Sequence, residues 1–274
     1  MTGPAGSCVV VHLSDLHFGR EDRRVVRGLH RAVWTLAPSI VAVSGDLTQR
    51  ARAHQFVRAR AFLDALPRPH VVVPGNHDVP LFNLIARVLY PLRSFTAHIT
   101  RDLQPTLTEG PVWIAGINTT RPGKWKSGRV DPLIVDRLRS SLATVPPDVV
   151  KILVAHHPFD GPNGSPEGNQ ALAELIEAGI DVFLTGHLHV SYAGHTAHRY
   201  NAGGRTAVVV EAGTATSTRR RKENNAFNVL RVSSDRVEIE LRTWEAGAFA
   251  MKSTVGFSRT ADGWAEETGE PATS

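Results

Sequence analysis

Five short segments, Asp15-Leu16-His17, Gly45-Asp46, Gly75-Asn76-His77-Asp78, His156-His157-Pro158 and Gly186-His187-Leu188-His189, set carboxylates, one carboxamide and several imidazoles in series along the chain. Together they offer a ligand set for a pair of metal ions. Oxygen and imidazole donors without a thiolate suit Mn, Fe or Zn, and argue against an iron–sulfur cluster or a cysteine-rich zinc site. In Asp15-x-His17 and His187-x-His189 the paired groups stand at i and i+2, which on extended backbone points both to one side. Gly45, Gly75 and Gly186 stand where the chain must turn sharply or let backbone approach an ion closely.

Two divalent ions roughly 3.5–4 Å apart can share a hydroxide, lowering its pKa, and can clamp the oxygens of an in-line displacement. Two carboxylates and one hydroxide against two dications leave such a cluster about one unit positive, which attracts phosphate esters. A neutral carboxamide at Asn76 coordinates without cancelling that surplus. His77, with an unperturbed pKa of about 6.5, suits proton transfer. Its neighbour Asp78 is expected to orient the imidazole, with a turn-capping role as the alternative.

Each segment follows an apolar run that reads as a buried strand: Cys8–Leu13, Ile40–Val43, Val71–Val73, Ile152–Ala155 and Val182–Leu184. Strand followed by polar ligand, five times over, predicts that all five groups lie along the same edge of a sheet. Helices are expected between them. Arg23–Leu36 carries Val26, Leu29, Val33 and Leu36 at helical spacing, and Ala53–Leu66 carries Phe56, Ala59, Phe62, Leu63 and Leu66. Asp131-Pro132 opens a third helix as cap and first-turn proline, and a fourth runs from about Glu167 to Ala178, stopping at Gly179. Ala226–Val232 and Arg236–Thr243 alternate in the two-residue period of strands and predict a hairpin completing a second sheet. From about Ala261 the chain is polar and rich in small residues, a tail expected to be mobile.

The ordered set Asp-x-His, Gly-Asp, Gly-Asn-His-Asp, His-His-Pro, Gly-His-x-His resembles the calcineurin-like metallophosphoesterase superfamily, from the first strand into the second half of the chain. Within it the chain is most similar to small bacterial class III cyclic nucleotide phosphodiesterases. Each motif alone is common as a turn or cap; the ordered five carry the resemblance. It implies a four-layer α/β/β/α sandwich of two mixed sheets flanked by helices, with a dinuclear metal site at the carboxyl ends of the strands. Asp15, His17 and His189 would hold one ion, Asn76, His156 and His187 the other, and Asp46 would bridge them. His77 would face the substrate and serve the leaving oxygen. The ions would be two divalent ones, or Fe(III) with a divalent partner, drawn from Mn, Fe and Zn.

With 13 histidines in 274 residues, some must be structural. His157 is assigned to the surroundings of a ligand, and His12, His30, His54, His70, His98, His195 and His198 to none. A 42% hydrophobic content suffices for one large domain, expected over residues 1–260. No run approaches the roughly 20 apolar residues of a membrane span and no leader is evident, so a cytoplasmic location is expected. The lone Cys8, in an apolar strand, is a small core residue without an internal disulfide partner. A net charge of +5 and a pI near 9.8 suit a phosphorylated or nucleic-acid partner.

The function expected is a phosphodiesterase acting on a small ester such as a cyclic nucleotide. The alternatives are hydrolysis of a glycerophosphodiester, a lipid-linked pyrophosphate or a nucleic acid, and a non-catalytic scaffold of the same fold. Arg20, Asn118 and Arg121 are candidate substrate contacts. Val79–Asp102, apolar with interspersed arginines, is expected to be a lid, a lipid-contacting edge or a core helix broken at Pro91. The basic loop Arg219–Lys222 is a further candidate for phosphate contact.

Overall fold

Short runs of Val and Ile closed by Gly, Ser or Asp become strands here because β-branched side chains pack well on a pleated surface. The computed structural model of the chain describes residues 6–121, 128–159, 166–196, 204–218 and 223–267. Two mixed sheets form the centre. One has seven strands in the spatial order β13 (Gly263–Glu266), β12 (Ala248–Thr260), β11 (Arg236–Glu245), β10 (Ala226–Val232), β1 (Cys8–Leu13), β2 (Ile40–Val43) and β3 (His70–Val72). The other has six, in the order β4 (Thr106–Glu109), β5 (Val112–Gly116), β6 (Val150–Val154), β7 (Val182–Thr185), β9 (Val208–Glu211) and β8 (Tyr192–His195).

Strands β1, β2 and β3 run parallel, as do β5, β6, β7 and β9, while the outer strands of both sheets join antiparallel. Parallel strands buried on both faces read as continuous apolar runs. One face of each sheet meets the other sheet, with Val10, Ile40 and Val71 packed in the same cluster as Ile152, Val182 and Val208. The outer face of the first sheet is covered by α1 (Arg23–Leu36) and α2 (Ala53–Asp64), and that of the second by α5 (Pro132–Leu142) and α6 (Pro166–Glu177). This is the expected α/β/β/α sandwich.

Local signals act as anticipated at the helix ends. Asp22 caps α1 by accepting from Arg24 N at 2.8 Å, and Asp131 caps α5 by accepting from Leu133 N at 3.0 Å ahead of Pro132. The inward face of α1 is Val25, Leu29 and Val33, one position away from the expected register at its start; Val26 and Leu36 are half-buried.

Three expectations need correction. The five ligand strands do not share one sheet: β1, β2 and β3 belong to the first, β6 and β7 to the second, and their carboxyl ends meet at one end of the sandwich. The hairpin β10–β11 extends the first sheet, because β10 pairs antiparallel with β1 and covers what would otherwise be its open edge. The expected tail is ordered as far as Glu267: β13 pairs with β12, and Trp264 is buried, its indole N–H donating to Asp181 at 2.9 Å. Residues 268–274 lie outside the described residues.

The Val79–Asp102 segment breaks at Pro91 into two short helices, α3 (Leu84–Leu89) and α4 (Arg93–His98). The second packs on α2, with the Phe56 and Phe95 rings edge to face at 6.4 Å. The first turns its apolar residues outward. No helix among the described residues is long and apolar enough to cross a membrane.

Candidate metal centre

At the shared end of the sandwich the loops after β1, β2, β3, β6 and β7 converge. They are cross-braced by backbone: Asp15 N donates to Gly45 O at 3.1 Å, His17 N to Asp46 O at 2.9 Å, and Gly186 N to His156 O at 3.0 Å. Two glycines are required by close approach. A Cβ on Gly186 would fall on Ser14 Oγ, and one on Gly75 on Asp46 Oδ1 and its backbone N. The backbone at the Asp15-x-His17 and His187-x-His189 pairs is not extended. Asp15 (φ 54°), His17 (47°), Asp46 (52°), His187 (70°) and His189 (59°) are all left-handed. Each such residue costs on the order of 1–3 kcal/mol and persists where its surroundings over-determine it, a pattern concentrated at functional sites.

The structure brings together all seven expected ligand residues. In one group, Asp15 Oδ1 lies 3.2 Å from His189 Nε2 and 3.4 Å from His17 Nε2, and Asp46 Oδ2 lies 3.7 Å from His17 Nε2. In the other, Asn76 Oδ1 lies 3.0 Å from both His156 Nε2 and His187 Nδ1. Asp46 Oδ1, 3.4 Å from His156 Nε2, links the two groups. All but His187, which is half-buried, are buried.

The polar atoms fit cations. His156 Nδ1 donates to Ser44 O at 2.8 Å, and burial pushes the ring's pKa down to about 3, so the ring is neutral with its proton on Nδ1. Its Nε2 lone pair therefore faces the carboxamide oxygen of Asn76, and a cation between them reconciles two acceptors. Burial opposes ionisation of Asp15, but the imidazoles of His189, His17 and His156 outweigh it and hold the carboxyl well below the usual range. Asp15 Oδ1 is buried without a hydrogen-bond donor, as a metal-ligating oxygen would be. His189 Nδ1 meets Thr214 Oγ1 at 2.8 Å, which aims Nε2 at the cluster.

His77 stands beside this cluster, its ring edge to face with that of His17 at 4.8 Å between centroids. Its backbone N–H donates to Asp46 Oδ1 at 2.8 Å, and Nδ1 meets Gln49 O at 2.8 Å. Gln49, not Asp78, orients the imidazole. Asp78 is buried and accepts from Leu47 N, Thr48 N, Thr48 Oγ1 and Gly75 N at 2.8–3.1 Å, so its carboxylate staples the Asp46 loop to the Asn76 loop. These contacts are of the kind the turn-capping alternative expects, and none of them reaches the His77 imidazole.

Other expected residues lie further out. Arg20 is exposed, its backbone carbonyl accepting from Thr218. Asn118 and Arg121 line a cavity of about 350 Å³ with Arg129 and Asp131, which none of the seven ligand residues borders. The Arg219–Lys222 loop lies outside the described residues. His157, left out of the ligand set above, joins His156 and His187 as a third converging imidazole; Nδ1 meets Thr119 Oγ1 at 2.9 Å and Nε2 is buried without a hydrogen-bond partner.

The profile of the calcineurin-like phosphoesterase family matches residues 8–191. No curated protein sequence matches the chain. The fold is similar to that of the purple acid phosphatase PPD1 of yellow lupin, Lupinus luteus (TM-score 0.74, 14% identity over 95% of this chain). This chain spans 55% of the length of that enzyme. It is also similar to PhoD (TM-score 0.68, 11% identity, 99% of this chain and 74% of that one) and to Vacuolar Protein Sorting 29 of Cryptosporidium parvum (TM-score 0.53, 13% identity, 92% and 99%).

Proposed function

Because the chain belongs to the calcineurin-like phosphoesterase family, we propose that it is a dinuclear-metal phosphodiesterase, with Asp15, His17 and His189 on one ion, Asn76, His156 and His187 on the other, and Asp46 on both. The observation that carries this reading is the convergence of ligand atoms in two linked groups, with Asn76 Oδ1 facing the Nε2 lone pair of His156 at 3.0 Å and Asp15 Oδ1 lying 3.2–3.4 Å from the Nε2 atoms of His189 and His17. Bound divalent ions would supply Lewis acidity and a water nucleophile available near neutral pH.

The remaining work falls to the chain. Only two carboxylates, Asp15 and Asp46, are in the ligand set, so two dications keep a positive surplus for the single charge of a diester. Left-handed backbone and the Ser44, Thr214 and Gln49 contacts pre-set the ligand and imidazole orientations, so they need not be found during turnover. His77, whose Nδ1–H donates to Gln49 O, gives the Nε2 proton of its doubly protonated ring to the leaving oxygen and is left as the neutral Nδ1–H imidazole. Among small diesters, a cyclic nucleotide is the finer expectation.

The test is hydrolysis of bis(p-nitrophenyl) phosphate beside p-nitrophenyl phosphate by metal-stripped protein reloaded with Mn, Fe or Zn, followed by 3',5'- and 2',3'-cyclic nucleotides. Metal-dependent turnover favouring the diester supports the reading, and cleavage of a cyclic nucleotide supports its finer part. A preference for the monoester contradicts the diesterase assignment.

A further inference from the structure

The segment after Asp78 is built inside out. In α3 the buried residue is Arg87, while Leu84, Ile85, Val88 and Leu89 are 62–73% exposed. Those four positions, spaced i, i+1, i+4 and i+5, share one helical face. Phe82 and Tyr90 flank it at 69% and 57% exposure, so six large apolar side chains form one outward patch. Monomeric soluble proteins seldom leave such a contiguous patch bare without a binding role. Its ends are fixed: Val79 is buried at one end, and Leu92 and Phe95 enter the core at the other.

Cations rim the patch. The Arg50 guanidinium lies over the Phe82 ring at 5.2 Å, and that of Arg93 over the Tyr90 ring at 5.9 Å; both arginines are exposed. Arg50 directly follows Gln49, whose carbonyl meets His77 Nδ1, so patch and catalytic histidine are joined through one short loop. An apolar face flanked by arginines and an interfacial tyrosine, on a chain of net charge +5, complements an anionic bilayer. A second copy of the chain fits the patch less well, because it would bring the same arginines against one another.

We propose that residues 82–93 dock the protein on an anionic phospholipid surface, with the apolar face of α3 entering the headgroup boundary and Arg50 and Arg93 meeting lipid phosphates. This would place the His77 site at headgroup level. The docking does not depend on which ester the site cleaves.

The experiment is co-sedimentation of the full chain with phosphatidylcholine vesicles, with and without phosphatidylglycerol. It compares wild type with a variant combining Ile85→Ser, Val88→Ser and Leu89→Ser, whose folding is checked by circular dichroism. Since these side chains are exposed, the variant is expected to fold normally. Wild type should sediment with the anionic vesicles and much less with neutral ones, and the variant should lose binding by at least about tenfold. Wild type that stays in the supernatant, binds neutral vesicles equally well, or binds no better than the variant would overturn the proposal. So would a wild-type dimer, split by the triple substitution, that binds no vesicles.

Discussion

Gly75 is where the Asn76 loop touches the backbone of the Asp46 loop, and Gly75→Ala isolates that contact. The backbone there is extended (φ −107°, ψ 177°), which alanine adopts freely, so any effect comes from the added methyl group. The methyl carbon would sit on Asp46 Oδ1 and Asp46 N, and 2.9 Å from Asp46 Cα. Backbone atoms cannot rotate away, so the Asp46 and Asn76 loops must part by on the order of 1 Å, beyond the roughly 0.5 Å within which a functional constellation has to be held. Overpacking of this kind costs about 1–3 kcal/mol of stability. Displacement of the bridging carboxylate should weaken metal binding by at least the 10- to 100-fold typical of lesser disturbances around ligands. The assay is Mn titration of stripped protein beside urea unfolding of the metal-free form. If Gly75→Ala binds two ions per chain at wild-type affinity, the close packing of these loops does not set the site.

His77→Ala should lower kcat on bis(p-nitrophenyl) phosphate by about 10²–10⁴ at unchanged metal content; full retention would remove the histidine from proton transfer. Thr214→Val takes away the partner of His189 Nδ1 and should weaken metal binding about 10- to 100-fold, read by competition with a chelator. Unchanged affinity would mean that Thr214 does not hold the ring. Asp78→Asn turns an N–H2 toward donors of the braced loops and should weaken metal binding, but kcat at saturating metal should stay within about tenfold because Gln49 orients His77; a kcat loss on the scale of His77→Ala would return Asp78 to the proton-transfer pathway. In the metal-free protein, burial pushes the Asp78 carboxyl up from 3.8 to about 6. The folded state thus binds this proton more tightly, so the stability the group contributes is present below about pH 4 and is lost as pH rises through about 6. Asp78→Asn should flatten that part of the urea-midpoint profile, and an unaltered slope would assign the titration elsewhere.

The ligand residues were legible because each follows a buried strand, and a strand's end is fixed by its own apolar run. Which sheet each strand joins was not. Val41 and Val154 are buried alike from both sides, so nothing in their runs distinguishes two sheets from one. The partners that aim the imidazoles were equally silent, since Ser44 O and Gln49 O are backbone atoms and carry no side-chain signature. Thr214 had a weak signal, a hydroxyl residue just past the apolar strand β9. Asp78 stands beside His77 in sequence, yet its carboxylate is engaged by three donors of the Asp46 loop and by Gly75 N of its own turn, which adjacency does not reveal. Trp264, in a polar stretch, was read as tail, yet it pairs with buried Asp181 across the fold. In α3 the apolar pattern was visible but not its direction, because an exposed apolar face and a buried one have the same periodicity.

Seven side chains from five loops are proposed to hold two ions, with Asp46 on both. Metal content of stripped and Mn-reloaded protein, wild type beside Asp46→Ala, tests this proposal most directly. Two ions per chain are expected for wild type and fewer than two for Asp46→Ala, with bis(p-nitrophenyl) phosphate hydrolysis lost in step. Wild type that takes up no ion, or an Asp46→Ala variant that still holds two, would contradict it.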